Sequence, residues 1–315
     1  MRRFPGCACL LLALLSLVAV PASSAMSVDR KLLSLVPEDS QIVAGMDSPP
    51  PKGQPGSFVL ITHNNTVDLQ DSLALMGADS SRIVRHVIFV AIDEEPGHLN
   101  EHGLLMSGQF DQARIYKSAL EGGAVATDYR GIPVLIIQPF ERERADFHDV
   151  RWLAVVDSEV LLFGTITSVR QELDRYLSAA SADPSLVHKL ARMHSDDETW
   201  CVISAPGRNP EIQTTLTALD SRLAELASSA DAFQFGIRYR KQVEFEYEAT
   251  TSSPSHPNSL RQSLTGPKMG SSLLPSQNAT QRETTIRGVV KIPVEQFGAW
   301  LSKSSGHGAR RNATP

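Results

Sequence analysis

The chain has 315 residues, of which 42% are hydrophobic and 21% charged, with 30 Lys and Arg against 35 Asp and Glu. The excess of acidic residues argues against nucleic-acid binding, which depends on Lys and Arg neutralising phosphates. It argues equally against a basic surface that would bind a membrane.

The first 25 residues have the features of a secretory signal peptide. Arg2 and Arg3 form a basic start, residues 9–20 form an apolar run, and Ala25 ends a small-residue stretch. The apolar run is shorter than the ~20 residues that a membrane-spanning helix needs, so we expect cleavage after Ala25 rather than a retained anchor. The expected location is periplasmic or secreted. Cleavage removes two arginines and no acids, so the net charge becomes 28 minus 35, or −7.

Beyond this leader the chain has one cysteine, Cys201, which excludes an intramolecular disulfide. The fold must therefore rest on core burial alone, which a chain of this length can supply. Cys201 lies in an apolar segment, where a free thiol most often behaves as a small buried hydrophobe.

Five segments repeat one order, in which an apolar run of strand length ends at a polar residue and a helical pattern follows. Asp111 is a typical N-cap for the second of these helices. The strand and helix pairs are 58–62 with 67–77, 103–110 with 111–123, 159–165 with 166–177, 200–206 with 209–229, and 285–293 with 294–304.

Other predicted strands follow one another with short links, which favours antiparallel pairing. They are 84–92 before 103–108, 132–139 before 151–157, and 233–240 before 243–250. We therefore predict an α+β fold with mostly antiparallel sheets, built from strand–helix and hairpin units, with the helices packed on one side. The globular domain is expected over 26–250, either as one unit or as two similar halves that meet near 178–198.

The segment 151–177 is the most strongly patterned part of the chain. Two nearly continuous apolar runs flank Asp157, Ser158 and Glu159, which predicts a hairpin of inner strands covered on both faces. In the helix that follows, the spacing predicts one apolar stripe and one solvated face. The stripe is Val169, Leu173, Tyr176 and Leu177, and the solvated face is Arg170, Glu172, Asp174 and Arg175.

Apolar residues alternate with polar ones over 233–248, which predicts a hairpin with one buried and one wet face. Arg and Glu side chains on the wet face are expected to pair across the strands, each pair contributing roughly 0.2–1 kcal/mol.

The pattern stops over 251–283, which holds eight serines and four prolines, so a disordered linker is expected there. Residues 284–304 then return as a strand and a helix that dock on the domain, and 305–315 is expected to be a disordered tail. An alternative reading makes 251–283 an arm that orders on contact with other envelope proteins.

The sequence HLNEH over 98–102 matches the H-x-x-E-H motif of the inverted zinc peptidases. In such a site His98 and His102 would bind zinc and Glu101 would polarise the attacking water, with a carboxylate such as Asp111 or Glu121 completing the cage. However, these enzymes carry the motif on a helix, whereas here Pro96 and Gly97 precede it and a strand follows at once. The expected reading is a polar loop between strands.

An alternating run of charges over 140–152 includes Arg142, Arg144 and Arg151, which are candidates for binding a partner. The alternative is a solvated loop whose charges cancel.

Four strings resemble exported bacterial proteins of a family of unknown function: LVPEDSQIVAGMDSP, EHGLLMSGQFD, YRGIPVLIIQPFERER and RWLAVVDSEVLLFGT. The resemblance covers roughly 32–247 and implies a shared fold and envelope location, with no catalytic residue. We therefore expect a non-enzymatic binding or structural protein of the bacterial cell envelope that has an envelope protein as its partner. We expect no cofactor, no nucleic acid and no stable membrane insertion, and the sequence leaves the oligomeric state open. The alternative is a zinc-dependent hydrolase that uses the HLNEH segment.

Overall fold

The structure is a computed structural model. It describes residues 28–47, 59–62, 65–68, 83–92, 101–138, 150–193, 197–208, 210–219, 221–251, 284–295 and 297. The helices are α1 (Arg30–Leu35), α2 (Gln112–Glu121), α3 (Ile166–Leu177), α4 (Pro184–Leu190), α5 (Pro210–Leu219) and α6 (Ser221–Ser228).

The strands up to the middle of the chain are β1 (Ser40–Asp47), β2 (Val59–Thr62), β3 (Asn65–Asp68), β4 (Val84–Ile92), β5 (Glu101–Gly108), β6 (Val125–Tyr129) and β7 (Ile132–Ile137). Those that follow are β8 (Arg151–Asp157), β9 (Val160–Thr165), β10 (Thr199–Ser204), β11 (Ala232–Tyr239), β12 (Val243–Thr251) and β13 (Thr284–Ile292).

Eleven strands form one antiparallel sheet in the order β13-β12-β11-β10-β1-β4-β5-β9-β8-β7-β6. The first strand in the chain, β1, therefore lies inside the sheet, between β10 and β4. The antiparallel pairing predicted from the short links is confirmed for β4 with β5, β7 with β8, and β11 with β12.

Strands β2 and β3 form a separate two-stranded hairpin. A helix was predicted to begin at Val67, but Val67 and Asp68 belong to β3, so this boundary is wrong. A short link between two β-forming runs favours a hairpin, and here it overrides the helical spacing. The rest of that predicted helix lies outside the described residues.

The hairpin of β8 and β9 is confirmed as an inner part of the sheet. Every residue of β9 is buried, as are the first five of β8. Trp152 pairs with Gly164 and Leu153 with Phe163, so apolar side chains from both strands reach both faces.

The prediction that helices pack on one side is wrong, because they cover both faces of the sheet. On β5, Leu104 and Met106 join the core of the face that we call the α2 face, which α2, α5 and α6 cover. Leu105 joins the opposite core, on the α3 face, which α1, α3 and α4 cover. The inner strands are apolar on both sides, so both sides need a covering layer. Within the described residues, no helix has the length and apolar character needed to cross a membrane.

The hairpin of β11 and β12 follows its predicted alternation. Phe233 and Tyr247 stack on the α2 face with ring centroids 6.0 Å apart. Residues with the opposite parity, such as Arg238 and Glu244, face the other side and pair across the strands as predicted.

Candidate functional site

The structure places the zinc-like motif on a strand rather than on a helix. Glu101 is the first residue of β5 and pairs with Ile92 of β4. His102 follows on the same strand and is 6% exposed, with its ring centroid 6.2 Å from that of Phe89. His98 lies outside the described residues. The helical spacing that places two imidazoles on one side is therefore not present over Glu101 and His102.

A search of the described ranges finds no group of three or more His, Cys, Asp or Glu side chains that could hold a metal ion. Asp111, one of the two carboxylates suggested for the cage, instead caps α2, where its side chain accepts a hydrogen bond from the Arg114 amide. Glu121, the other, is exposed on α2 and forms an ion pair with Lys117.

Of the three arginines predicted to bind a partner, the structure describes Arg151. Arg151 is the first residue of β8 and only 2% exposed, so its guanidinium is inside the protein and not on an open surface. Arg142 and Arg144 lie outside the described residues.

Cys201 lies on β10 and is buried, as the apolar sequence around it predicts. Burial raises the pKa of its thiol far above the ordinary value. A thiol that stays protonated is a poor nucleophile, so Cys201 behaves as a core residue.

Sequence reasoning missed a fully buried carboxyl group. Glu172 was predicted on the solvated face of α3, but its side chain is 0% exposed and lies against the sheet. Its Oε1 accepts a hydrogen bond of 2.9 Å from the Ser168 hydroxyl, one turn earlier on α3. Its Oε2 has no hydrogen-bond partner among the described residues.

Gly103 on β5 provides the space for this carboxyl group. A Cβ at Gly103 would lie 2.2 Å from Glu172 Oε1 and 2.5 Å from Ser168 Oγ, closer than atoms can approach. Gly103 also pairs with Gly164 of β9, so two strands lack side chains at adjacent positions on the α3 face. We refer to Glu172, Ser168 and Gly103 as the Glu172 site.

Burial raises the pKa of Glu172 from its ordinary value of 4.5 to about 8, and the hydrogen bond from Ser168 opposes this only in part. The group therefore carries a proton at neutral pH. A perturbed carboxyl next to a serine has the composition of a catalytic pair, but the Glu172 site is closed to substrate because both side chains are 0% exposed.

A second polar cluster lies on the α3 face of β11 to β13, where charged side chains form what we call the charge ladder. Arg238 is at its centre, with carboxylates on three sides at 3.1 to 3.4 Å. These carboxylates belong to Asp197, Glu244 and Glu246. The Asp197 side chain is only 2% exposed, so this pair is desolvated.

The ladder continues to the edge of the sheet. Glu248 accepts from both Arg192 and Arg287, and Lys291 lies 3.1 Å from Glu244. The ladder thus balances four cationic side chains with four carboxylates. The cleft among them measures about 20 Å³, which is room for about one water molecule. The sequence did predict Arg–Glu pairing here, but not the burial of Asp197 and Glu248.

Comparison with known proteins shows a similar fold and identifies no family. No protein-family model matches the chain, and no curated protein matches it. Among solved structures, crystal form I of TP0453 matches with a TM-score of 0.51, covering 89% of this chain and 99% of that chain. The two sequences are 13% identical, so the likeness extends to the fold alone. A large antiparallel sheet with helices is thus shared with a solved protein.

Proposed function

We propose that the protein is an exported, non-enzymatic binding or structural protein of the bacterial cell envelope. The observation that carries this proposal is the burial of the reactive side chains. Glu172, Cys201 and His102 are each no more than 6% exposed and lie inside the helix-covered sheet. A substrate would have to separate a helix layer from the sheet to reach them.

The surface polar groups support the same conclusion. Each of the four cations in the charge ladder forms an ion pair with one of its carboxylates. Polar networks whose members are satisfied rigidify the part of the protein that contains them.

Export is proposed from the leader alone, and it is directly testable. The full chain, expressed with its own leader in a Gram-negative host, should appear outside the cytoplasm with a mature N-terminus at Met26. Fractionation followed by mass spectrometry of the N-terminal peptide measures both properties. An uncleaved chain in the cytoplasm would contradict export.

We also propose that the protein does not use zinc, and this needs its own test because part of the HLNEH segment lies outside the described residues. Purified protein should contain far less than one zinc per chain, measured by elemental analysis. The His98→Ala variant should have the same metal content. Stoichiometric zinc that is lost in the variant would overturn the non-enzymatic proposal in favour of a hydrolase built on His98, Glu101 and His102.

We further propose that the envelope partner contacts the charged run that contains Arg142 and Arg144. Reversing both charges should weaken in-cell cross-linking to the partner several-fold, since loops commonly carry binding residues. Arg114→Glu, an exposed change on α2, is the matched control. Equal loss in the control would show a general charge effect and not a contact.

A further inference from the structure

Strand β6 forms one end of the eleven-stranded sheet, and among the described residues it pairs only with β7. Its first four residues are exposed and Tyr129 is half-buried. Val125 is 53% exposed, the highest value among the large hydrophobic residues that the structure describes. The outer edge of β6 is therefore open to solvent.

The turn after β6 determines which backbone groups point outward. Arg130 and Gly131 both have positive φ, 54° and 87°, as in the type I′ turn of a two-residue hairpin. In such a hairpin Tyr129 and Ile132 exchange both hydrogen bonds, and the pairing then alternates along the strands. Ala126 and Asp128 are therefore the residues whose N–H and C=O groups point away from β7.

Natural sheets protect their edges with charged side chains, especially Lys, with Pro, with bulges or with very short edge strands. β6 is short and has one charged side chain, that of Asp128. The five residues of β6 include neither Lys nor Pro, and the register with β7 has no shift. The one nearby proline, Pro133, lies on β7, where its missing N–H would point toward β8 and not toward the open edge.

We propose that β6 pairs antiparallel with β6 of a second copy of this chain, about a twofold axis at Thr127. In this register Ala126 of each copy exchanges two hydrogen bonds with Asp128 of the other. The pairing forms four backbone hydrogen bonds and joins the two sheets into one.

The outward groups select this register over the other symmetric ones. A twofold axis at Ala126 or at Asp128 would give a pairing with only two hydrogen bonds. The axis at Asp128 would also place the Asp128 carboxylates of the two copies opposite each other. At Thr127, Asp128 faces Ala126 of the second copy and Val125 faces Tyr129. The exposed Val125 side chain is thereby covered by an aromatic ring, and the two threonines face each other in a favourable cross-strand pair.

A second copy is the occupant that this strand fits best. When two copies of β6 lie antiparallel, Ala126 faces Asp128, Val125 faces Tyr129 and Thr127 faces Thr127. The contact is confined to one short strand, so its area is below that of a stable dimer. We therefore expect weak association that increases with protein concentration, as for transient complexes.

A cysteine placed at the twofold tests the register. In the proposed dimer Thr127 of one copy faces Thr127 of the other in a non-hydrogen-bonded pair. The Cβ atoms of such a pair come within about 5.5 Å of each other, close to disulfide geometry. In a full-length chain with Cys7 and Cys9 changed to Ser, T127C should form a disulfide-linked dimer several-fold faster than A126C or D128C under mild oxidation. Cys201 is buried and does not compete.

A second variant separates the edge from general folding. Ala126→Pro removes an outward N–H and no bond to β7, so it should abolish the T127C cross-link while the Tm changes little. Non-reducing gels at several concentrations give the rates. Equal rates for T127C, A126C and D128C would overturn the proposal, and so would a T127C rate that A126P leaves unchanged.

Discussion

Glu172 is a buried carboxyl group whose pKa lies well above its ordinary value. Its pKa is about 8 in the folded chain and close to 4.5 when exposed, so the folded state holds a proton that the unfolded state releases between these values. The contribution of Glu172 to the free energy of unfolding is therefore highest below pH 4.5 and falls as the pH rises toward 8. The expected decline is roughly 1.4 kcal/mol per pH unit.

Glu172→Gln should remove this decline, because the amide is neutral at every pH and its oxygen can still accept from Ser168. We expect the variant to match the parent near pH 5 and to exceed it in free energy of unfolding at pH 8. Urea titrations at a series of pH values measure both. Parallel pH profiles for the two proteins would contradict a buried, protonated Glu172.

Gly103 is the second residue on which the Glu172 site depends. Gly103→Ala places a methyl group where Glu172 Oε1 and Ser168 Oγ lie, so it should destabilise the fold by about 1–3 kcal/mol. Adding Glu172→Ala removes one of the clashing atoms and should recover part of the loss. A double-mutant cycle from thermal or urea unfolding tests this coupling, and additive effects would contradict the close approach.

Among the elements, the strands β11 to β13 carry the charge ladder on their α3 face. Arg238→Met leaves the buried carboxylate of Asp197 without this partner, and breaking a buried pair costs about 3–5 kcal/mol. Lys291→Met removes an ion pair from an exposed side chain, so its effect should be below about 1 kcal/mol. Similar losses in the two variants, measured by denaturant unfolding, would show that burial does not distinguish the pairs.

The elements also show what the sequence could predict. The hairpins β8–β9 and β11–β12 were correctly predicted because strand periodicity and polar breaks are local signals. β6 was missed because an edge strand of Val, Ala, Thr, Asp and Tyr buries almost nothing and so lacks an apolar pattern.

Burial of polar groups was harder to predict than the strands. Helical spacing does place Ser168 and Glu172 next to Val169 and Leu173, whose side chains make the buried stripe. What removes Glu172 from solvent, however, is the packing of α3 against the sheet, where Gly103 of β5, from a distant part of the chain, leaves space for the carboxyl group. The one-sided helix layer was wrong for a related reason. Strands apolar on both faces require two layers, and the sequence had already indicated such strands.

At the scale of the whole molecule, one sheet joins residues from both ends of the chain. Thr251 and Thr284 are paired neighbours on β12 and β13. Replacing 252–283 with a short Gly- and Asn-containing turn should therefore change the Tm little, because closing a shorter loop costs slightly less entropy. Calorimetry of the deletion variant measures this, and a large loss of stability would show that the segment contributes to the fold.

The same deletion separates two roles for 251–283. If the segment is instead an arm that engages envelope proteins, the variant should keep its Tm and lose cross-links to them. Retained cross-links would assign the partner contact elsewhere, and Arg142 with Arg144 would then be the remaining candidates.

The central place of β1 has a consequence for biosynthesis. Residues 48–198 separate β1 from its neighbour β10, so Ala44 lacks its pairing partner Cys201 until that segment has been synthesised. Pairing between strands that lie far apart in the chain is slow to form, and here it cannot begin before β10 has been synthesised. A polypeptide emerging from the ribosome therefore cannot complete this sheet until residues 199–204 have been made, which would keep it unfolded during the export that we propose.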